Sequence, residues 1–352
     1  MNKIIYLFAL LMGCSSCTKE VIYNVSGKPI LFSQEMEVES RAGTSNSVES
    51  MYGKTFGVRG YKYEATWNSE QSVVFPDAKW HNVQVNCDAN GACKYEPIQY
   101  WEDNMRYAFF GYYPFSTGPT HPLQLSSVTK QGPPVMTYTL SDQALGMGAY
   151  ASKGADPSVM YDVMYGSVTD ANSVQNTTVG LNFKHALFGV QVVAENFHET
   201  TPVTIEELSL TLNLKYRKMD IPMNGDPVTS YFFDGTKDDG KIETDKTTRV
   251  TFHIIKKGAP AITVNSTLNL PPKDLSNGQH LLLIPQERMK GEATVKVKGE
   301  ASSQTLQLEF PNAKYKAGIR YMLDIQFVGE QVNIIIIQGS EWIDNDSIIE
   351  FE

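Results

Sequence analysis

The sequence lacks the motifs by which many enzymes and nucleic-acid-binding proteins are recognised. It contains no His-Glu-x-x-His zinc motif, no Gly-x-Ser-x-Gly nucleophile turn, no phosphate-binding loop and no glycine-rich dinucleotide turn. Its six histidines are scattered singly, and no basic cluster offsets a net charge of −9. An acidic chain without basic patches is poorly suited to binding nucleic acid or an anionic membrane surface. We therefore expect no enzyme activity, no cofactor and no nucleic-acid partner.

Long apolar runs are also scarce, and the one that is present, Ile4–Met12, follows Lys3. A membrane-spanning helix needs roughly 20 apolar residues, about twice this length, so the run is typical of a secretory signal. Leu11-Met12-Gly13-Cys14 has the spacing of a bacterial lipobox, in which the thiol of Cys14 is acylated and becomes the new N-terminus. Cys17 is the alternative lipidation site, so the signal peptide, residues 1–16, ends before Cys14 or Cys17. A secreted protein with two incidental cysteines is the remaining alternative.

Only two cysteines, Cys87 and Cys93, lie beyond this leader. Asn90-Gly91 between them is a strong turn pair, so we expect two short strands that face each other with the cysteines near the loop. In an oxidising compartment the thiols can close a disulfide across the hairpin. A zinc site would need two more soft or imidazole ligands, and only His81 is near. The pattern favours a disulfide over a metal site.

Alternation of apolar and polar residues, the mark of half-buried strands, recurs from end to end, whereas amphipathic helical spacing is rare. The clearest alternating runs are residues 179–183, 208–214, 293–297, 306–310 and 323–327. Turn-forming clusters at 224–227, 238–240 and 276–278 have the spacing of a β-sandwich. The sequence therefore predicts an all-β fold.

A chain of 352 residues is too long for one small core, and two domains of about 150 residues each are the natural expectation. Residues 170–178 are polar and lack bulky apolar side chains, which indicates a boundary. The chain is rich in aromatic residues and loops before this stretch, and its strands are longer after it. We predict an N-terminal β-sandwich at residues 21–176 and a C-terminal β-sandwich at residues 177–352.

Short motifs follow the lipobox in a definite order. They are Ile30-Leu31-Phe32-Ser33, Glu39-Ser40-Arg41-Ala42, Thr55-Phe56-Gly57-Val58-Arg59-Gly60-Tyr61, Tyr100-Trp101, Tyr107-Ala108-Phe109-Phe110-Gly111-Tyr112-Tyr113-Pro114, Leu181-Asn182-Phe183-Lys184-His185-Ala186-Leu187, Val332-Asn333-Ile334-Ile335-Ile336-Ile337 and Trp342. Together they resemble the fimbrillin-like subunits of protease-assembled (type V) pili of Gram-negative anaerobes, and the resemblance covers most of the chain. It implies two tandem transthyretin-like Greek-key β-sandwich domains in an outer-membrane lipoprotein at the cell surface.

Members of this family are cut after an arginine that follows the first strand, and Arg41-Ala42 matches that position. The resemblance therefore makes Lys28–Val38 a removable strand. Four of its apolar residues share one alternation phase, in which Gln34 is the exception: Ile30, Phe32, Met36 and Val38. An arginine in the polar loop that follows is accessible to an arginine-specific protease. The alternative is an ordinary first strand followed by an exposed arginine.

Loss of a strand leaves unpaired backbone groups and apolar pockets, which a strand from the next subunit can fill. We expect the donor strand in Gln331–Ile337, because its four consecutive isoleucines suit burial on both faces. The donor residues are then Val332, Ile334, Ile335, Ile336 and Ile337. A rival donor is the segment 347–352, which offers Ile348, Ile349 and Phe351.

The resemblance makes the chain a structural fimbrial subunit or pilus-like adhesin. Its partners are other fimbrial subunits of the same or a related kind, an arginine-specific protease, the outer membrane through the lipid anchor, and host or bacterial surface ligands. Stalk, tip and anchor subunits differ mainly in whether the protease cuts them and whether they donate a strand, and the sequence does not distinguish these roles.

Two other classes of function are alternatives to the fimbrial role. One is a surface glycan-binding lipoprotein, in which exposed Trp67, Trp80 or Trp101 would stack on sugar rings. The other is a hydrolase on a β scaffold, which needs a cleft with converging acids. A row of solvent-facing aromatics would favour glycan binding. Aromatic side chains are more often core than ligand platform, because they bury the largest apolar area.

Overall fold

A computed structural model describes residues 27–36, 51–225, 228–239, 246–267, 270–287, 289–309 and 315–341. Two four-residue α-helices occur in these ranges, Trp67–Glu70 (α1) and Asp142–Leu145 (α2). The remaining regular structure is almost entirely strand. The strands are β1 Phe32–Met36, β2 Thr55–Tyr63, β3 Val83–Cys87, β4 Cys93–Lys94, β5 Arg106–Tyr113, β6 Leu123–Leu125, β7 Val135–Thr139, β8 Met164–Ala171, β9 Val179–His185, β10 Phe188–Asn196, β11 Val203–Leu214, β12 Tyr216–Pro222, β13 Thr229–Phe232, β14 Thr248–Ile255, β15 Ile262–Val264, β16 Lys273–Asp274, β17 Leu281–Leu283, β18 Lys290–Val297, β19 Gln304–Glu309, β20 Ile319–Val328 and β21 Gln331–Glu341.

The all-β prediction is confirmed, and the alternating runs form β9, β11, β18, β19 and β20. In β11 the side chains of Leu208, Leu210 and Leu212 are fully buried, while the intervening Ser209 and Thr211 are half-buried. This follows from the strand period of two residues, which puts alternate side chains on opposite faces of the sheet. None of the helices in the described ranges has the length and apolar character needed to cross a membrane.

The strands form four sheets. The largest has seven strands in the order β1-β9-β8-β5-β2-β3-β4. A second contains β16-β10-β20-β21, with β17 also paired to β10, and a third contains β14-β11-β18-β19, with β15 also paired to β11. A four-stranded sheet has the order β13-β12-β7-β6. Pairing is parallel for β1 with β9 and for β10 with β20, and antiparallel for the other named pairs.

Strand pairing crosses the predicted boundary between residues 176 and 177. That position lies in the turn between β8 and β9, which pair in the same seven-stranded sheet, so this sheet continues to His185. In addition, β7 pairs with β12, which joins strands on opposite sides of residue 176. The division of the chain into two domains stays a prediction.

Two groups of buried apolar side chains form the interior. The larger group lies among the second, third and four-stranded sheets and includes Tyr61 and Phe110 from the seven-stranded sheet. The smaller group lies on the other side of that sheet and includes Phe109 and Phe183. Phe109 and Phe110 are neighbours on β5 and both are fully buried, because this strand is covered on both faces. The smaller core is the one to which β1 contributes.

Candidate functional site

β1 lies at one end of the seven-stranded sheet, in parallel register with β9, with Phe32 opposite Val179. The backbone N–H of Val179 donates to the carbonyl of Leu31 over 2.7 Å. On the opposite edge, the N–H of Ile30 donates to the carbonyl of Gln99 (2.9 Å), and the N–H of Trp101 donates to the carbonyl of Lys28 (3.1 Å). Residues 28–31 are therefore hydrogen-bonded on both edges. We call the space between β9 and residues 95–101 that holds this segment the β1 groove.

Side chains along the β1 groove alternate between core and solvent. Ile30 is 0% exposed and Phe32 is 5% exposed, whereas Leu31 between them is 41% exposed. This agrees with the alternation phase predicted for Ile30 and Phe32. Fully burying an apolar side chain of this size contributes about 1.5–3 kcal/mol. The strand therefore holds its place through side chains as well as through its backbone.

The ring of Phe32 occupies a pocket made of three aromatic rings. Its centroid lies 5.3 Å from that of Phe109, 5.6 Å from Tyr95 and 5.7 Å from Trp80. Its contacts with Phe109 and Trp80 are edge-to-face, the arrangement that the ring quadrupole favours. Each such pair adds about 0.5–1.5 kcal/mol beyond simple burial. An aromatic residue at position 32 thus fits this pocket in shape and in electrostatics.

Tyr95 also reaches the backbone of β1. Its hydroxyl donates to the carbonyl of Ile30 over 2.7 Å and accepts from the N–H of Gln99 over 3.2 Å. Burial raises the pKa of Tyr95 to about 12, so the hydroxyl keeps its proton at physiological pH and can donate. The hydroxyl joins the occupant of the β1 groove to the segment that closes it.

Removing this hydroxyl tests how firmly residues 95–101 hold β1. Tyr95→Phe is expected to lower the free energy of unfolding by about 1–3 kcal/mol, because the buried Ile30 carbonyl loses its side-chain donor. Tyr100→Phe is the matched control, since Tyr100 is 45% exposed and is expected to change stability by less than about 0.5 kcal/mol. Chemical unfolding of both variants gives the comparison. Equal stability of the two variants would contradict the role of Tyr95.

The three tryptophans considered for glycan binding are buried. Trp67 is 3% exposed, Trp80 is 1% exposed and Trp101 is 0% exposed. A sugar ring stacks on an open indole face, and none of these three residues offers one. The hypothesis that they form a glycan platform is therefore wrong. Their ring contacts explain the burial, since Trp67 packs on Tyr61 and Phe110 while Trp80 and Trp101 both contact Phe109.

The cysteine hairpin forms where the turn pair predicts it. β3 and β4 are antiparallel, Cys87 lies opposite Cys93, and a disulfide joins them. Gly91 in the connecting turn has φ of +83°, a conformation that favours glycine. In the described ranges, no group of three or more His, Cys, Asp or Glu side chains is arranged to hold a metal ion. His185, one of the six scattered histidines, is buried with Nδ1 2.8 Å from Asp162 Oδ1.

β21 contains the predicted donor residues and lies at an edge of its sheet, antiparallel to β20. Val332 is buried, and Ile334 and Ile336 pack against the larger core. Ile335 lies on the opposite face and is 44% exposed, and Ile337 on that face is half-buried. In this chain only one face of the isoleucine run meets the core, and the assignment of Gln331–Ile337 as a donor strand stays a prediction.

Several predicted site residues lie outside the described residues. They are the lipidation candidates Cys14 and Cys17, Val38, the cleavage pair Arg41 and Ala42, and the rival donor residues Ile348, Ile349 and Phe351. Met36 lies in β1, and its side chain is not described.

Sequence reasoning missed the part of the site that closes over β1. Gln99 and Trp101 supply backbone groups, which carry no signature in the sequence, and Tyr95 resembles any other tyrosine of an aromatic-rich segment. Its position two residues after Cys93 places it just beyond β4, but the pairing with residue 30 spans 65 positions. No local pattern indicates such a contact.

Comparison with solved structures gives the same fold. A fimbrial protein from Bacteroides vulgatus is 19% identical with a TM-score of 0.55, and the match covers 90% of this chain and 99% of that one. A candidate cell adhesion protein from Bacteroides uniformis is 13% identical with a TM-score of 0.50, and the match covers 90% of this chain and 100% of that one. At these identities the likeness shows the fold alone.

Comparison of sequences adds the family. No curated protein sequence matches the chain. The family model described as fimbrillin-like matches residues 40–341, which is most of the chain and includes β2 to β21. The resemblance carried by the short motifs thus agrees with a match to the family as a whole. The chain belongs to the fimbrillin-like family.

Proposed function

We propose that this chain is a structural subunit of a cell-surface fimbrium, or a pilus-like adhesin, that assembles by donor-strand exchange and has no enzymatic role. Membership of the fimbrillin-like family supports the fimbrial role. The observation that carries the assembly step is the β1 groove. Its occupant is a short segment that precedes Arg41, is hydrogen-bonded on both edges and inserts Ile30 and Phe32 into a core.

Loss of that segment after a cut at Arg41-Ala42 gives the driving force for assembly. The carbonyl of Gln99 and the N–H groups of Val179 and Trp101 lose their partners in residues 28–31, and the pocket that holds Phe32 opens. Unpaired backbone groups next to exposed apolar pockets are a template for an added strand. A strand from another subunit satisfies both needs at once.

Position at the cell surface is the second part of the proposal. Acylation at Cys14, or at Cys17, anchors the chain to the outer membrane before assembly, because two or three acyl chains hold a protein stably where one chain is marginal. A cut at Arg41 then separates the anchor and β1 from the rest of the subunit. One proteolytic event therefore frees the subunit and opens the β1 groove.

Two segments are candidates for the donor strand. Gln331–Ile337 would have to leave β20, to which it is paired, and Val332, Ile334 and Ile336 would have to leave the larger core. The segment 347–352 contains Ile349 and Phe351 with the same two-residue spacing as Ile30 and Phe32. Because the pocket for Phe32 is lined by three aromatic rings, this spacing favours 347–352 as the donor.

Treatment with an arginine-specific protease tests the proposal. The purified protein without its leader is expected to be cut after Arg41 and then to form SDS-resistant ladders. The matched control Arg41→Ala is expected to stay uncut at this position and monomeric. N-terminal sequencing and gel mobility report both steps. A protein that is cut at Arg41 and remains monomeric at high concentration would exclude the stalk role, and a mature N-terminus at neither cysteine would exclude the lipid anchor.

A further inference from the structure

The sheet that contains β21 has a buried acidic residue, Asp324, on the face that points away from the larger core. Asp324 in β20 lies between Val193 of β10 and Ile335 of β21 in the strand register, so these three side chains share a face. The neighbouring Leu323 and Ile325 point into the larger core on the other face. Asp324 is nevertheless only 1% exposed. A buried carboxyl is unusual without a cation or several donors around it.

The partners of Asp324 are a second acid and an amide. Nε2 of Gln326 donates to Oδ2 of Asp324 over 2.7 Å and to Oε2 of Glu195 over 2.9 Å. Oδ1 of Asp324 is buried, and no group among the described residues donates a hydrogen bond to it. Two carboxyl groups thus share one amide donor group. This arrangement suits one protonated and one ionised carboxyl far better than two ionised ones.

Three further charged residues lie on the strands around Asp324. From β16, Asp274 lies on the same face, where its carboxylate accepts from Ser276 and Gly278, and Lys273 lies on the opposite face. Arg320 lies on the same face of β20, four residues before Asp324. Within β21, residues 331–337 carry no charged side chain. Burial is the largest cause and the hydrogen bond with Glu195 the second, and they raise the pKa of Asp324 to about 7.

We propose that Asp324, Glu195 and Gln326 form a pH-sensitive latch, which holds the edge strand β21 on its sheet more tightly in mild acid than at neutral pH. The protonated Asp324 carboxyl is compatible with the buried site and with the Glu195 carboxylate beside it. When Asp324 releases its proton to solvent, two carboxylates share the Gln326 amide and Oδ1 is left charged and without a donor. Separation of β21 from β20 relieves this, because it uncovers Asp324 to water.

The pH range of the latch follows from the two states of Asp324. In the closed sheet its pKa is about 7, and in an opened strand it returns towards the ordinary value of about 4. The closed state therefore binds a proton that the open state releases, and opening becomes easier as pH rises from about 4 to 7 and then levels off. From pH 5 to pH 8 the opening constant of β21 is expected to rise by about a hundredfold.

The consequence for assembly rests on the proposed function. If Gln331–Ile337 is the donor strand, the latch retains it in acid and frees it near neutral pH. If 347–352 is the donor, the latch instead keeps the strand that precedes the donor in place. In both cases the measurement that tests the latch is made on the uncut monomer, so a failure of strand exchange leaves the test of the latch unaffected.

Hydrogen exchange of the backbone amides of residues 331–337, corrected for intrinsic exchange rates, tests the proposal between pH 5 and pH 8. The wild-type protein is expected to show the hundredfold rise in opening. Asp324→Asn keeps the size of the side chain and removes its titration, so its opening is expected to be independent of pH. Asp103→Asn is the matched control, because Asp103 is exposed and lies far along the chain in the loop before β5, and it is expected to retain the wild-type profile.

A second variant gives an independent test in case Asp324→Asn does not fold correctly. Glu195→Gln leaves Asp324 in place but removes the neighbouring negative charge, so the midpoint of the pH profile is expected to move to lower pH. A merely structural contact would change the amount of protection and leave the midpoint where it is. A wild-type profile that is flat from pH 5 to pH 8, or one that both variants reproduce, would overturn the proposal.

Discussion

Phe32→Ala is expected to lower the free energy of unfolding by about 3–5 kcal/mol, the range for removing a buried aromatic ring from a core. The ring lies among Trp80, Tyr95 and Phe109, and its loss leaves an apolar cavity at the mouth of the β1 groove. Because β1 is short, and Ile30 is the only other described side chain of this segment that is buried in the core, the change also loosens the strand from its groove. Urea unfolding followed by tryptophan fluorescence measures the effect, with the slope compared as well as the midpoint.

The neighbouring residue supplies the control. Leu31→Ala also shortens an apolar side chain in the same segment, but Leu31 is 41% exposed and points away from the smaller core. Its effect is expected to stay below about 1 kcal/mol. Similar losses for the two variants would mean that Leu31 and Phe32 do not lie on opposite faces of the strand, and that Phe32 is not the residue that fixes β1.

Much of the fold was predictable because its signals are local. The runs in β9, β11, β18, β19 and β20 alternate with the strand period, and each has one face on a core. The turn between Cys87 and Cys93 was predictable for the same reason, since Asn90-Gly91 fixes the hairpin within a few residues. Ile30 and Phe32 could be identified as a pair from their spacing alone.

Pairing between distant segments was not predictable. β1 pairs with β9 across about 147 positions, and residues 28–31 meet residues 95–101 on the other edge. The alternation of apolar and polar residues predicts which face of a strand is apolar, but it does not predict which strand lies beside it. The groove that encloses β1 is a property of strand order, and strand order depends on contacts that no short window of sequence contains.

The polar stretch at 170–178 shows the same limit. It has the composition of a linker, but in the structure it comprises the last two residues of β8 and the turn that joins β8 to β9. The side chain of Asn172 organises this turn by accepting from the N–H groups of Val174 and Gln175. Asn and Asp favour tight turns through such contacts, and the same residues are common in linkers. Composition alone therefore does not separate a hairpin turn from a domain boundary.

Asp324 is the clearest case in which a local pattern misleads. In Leu323-Asp324-Ile325-Gln326-Phe327 the polar residues occupy the positions of a solvent-facing row. In the structure that row is covered well enough to leave Asp324 1% exposed next to Glu195. The sequence predicts which side chains face away from the core, but it does not predict whether that second face meets water. The pH response expected for β21 comes from this difference.

The largest effect is expected from a protein that begins at Ala42 and so lacks β1. Removing Ile30 and Phe32 together withdraws two buried apolar side chains, each of which costs about 2–5 kcal/mol when it is truncated in a core, along with the backbone hydrogen bonds to Val179, Gln99 and Trp101. Since whole domains are stable by only about 5–15 kcal/mol, the smaller core is expected to lose most of its order. Binding of an apolar dye and a lowered midpoint of thermal unfolding measure this loss.

Adding the missing strand back as a peptide tests the β1 groove separately from the other effects of the truncation. A peptide of residues 27–38 is expected to restore the thermal midpoint in proportion to the logarithm of its concentration, because it binds the folded state and not the unfolded one. The same peptide with Phe32→Ala is the matched control and is expected to bind at least tenfold more weakly.

Peptides of residues 331–341 and 344–352 then compete for the same groove, and the peptide that binds more tightly identifies the donor strand. If 344–352 binds and its Phe351→Ala form does not, the aromatic pocket selects the incoming strand. If neither peptide binds while 27–38 does, the donor is a strand of a different subunit, and the β1 groove is specific for a partner other than a second copy of this chain.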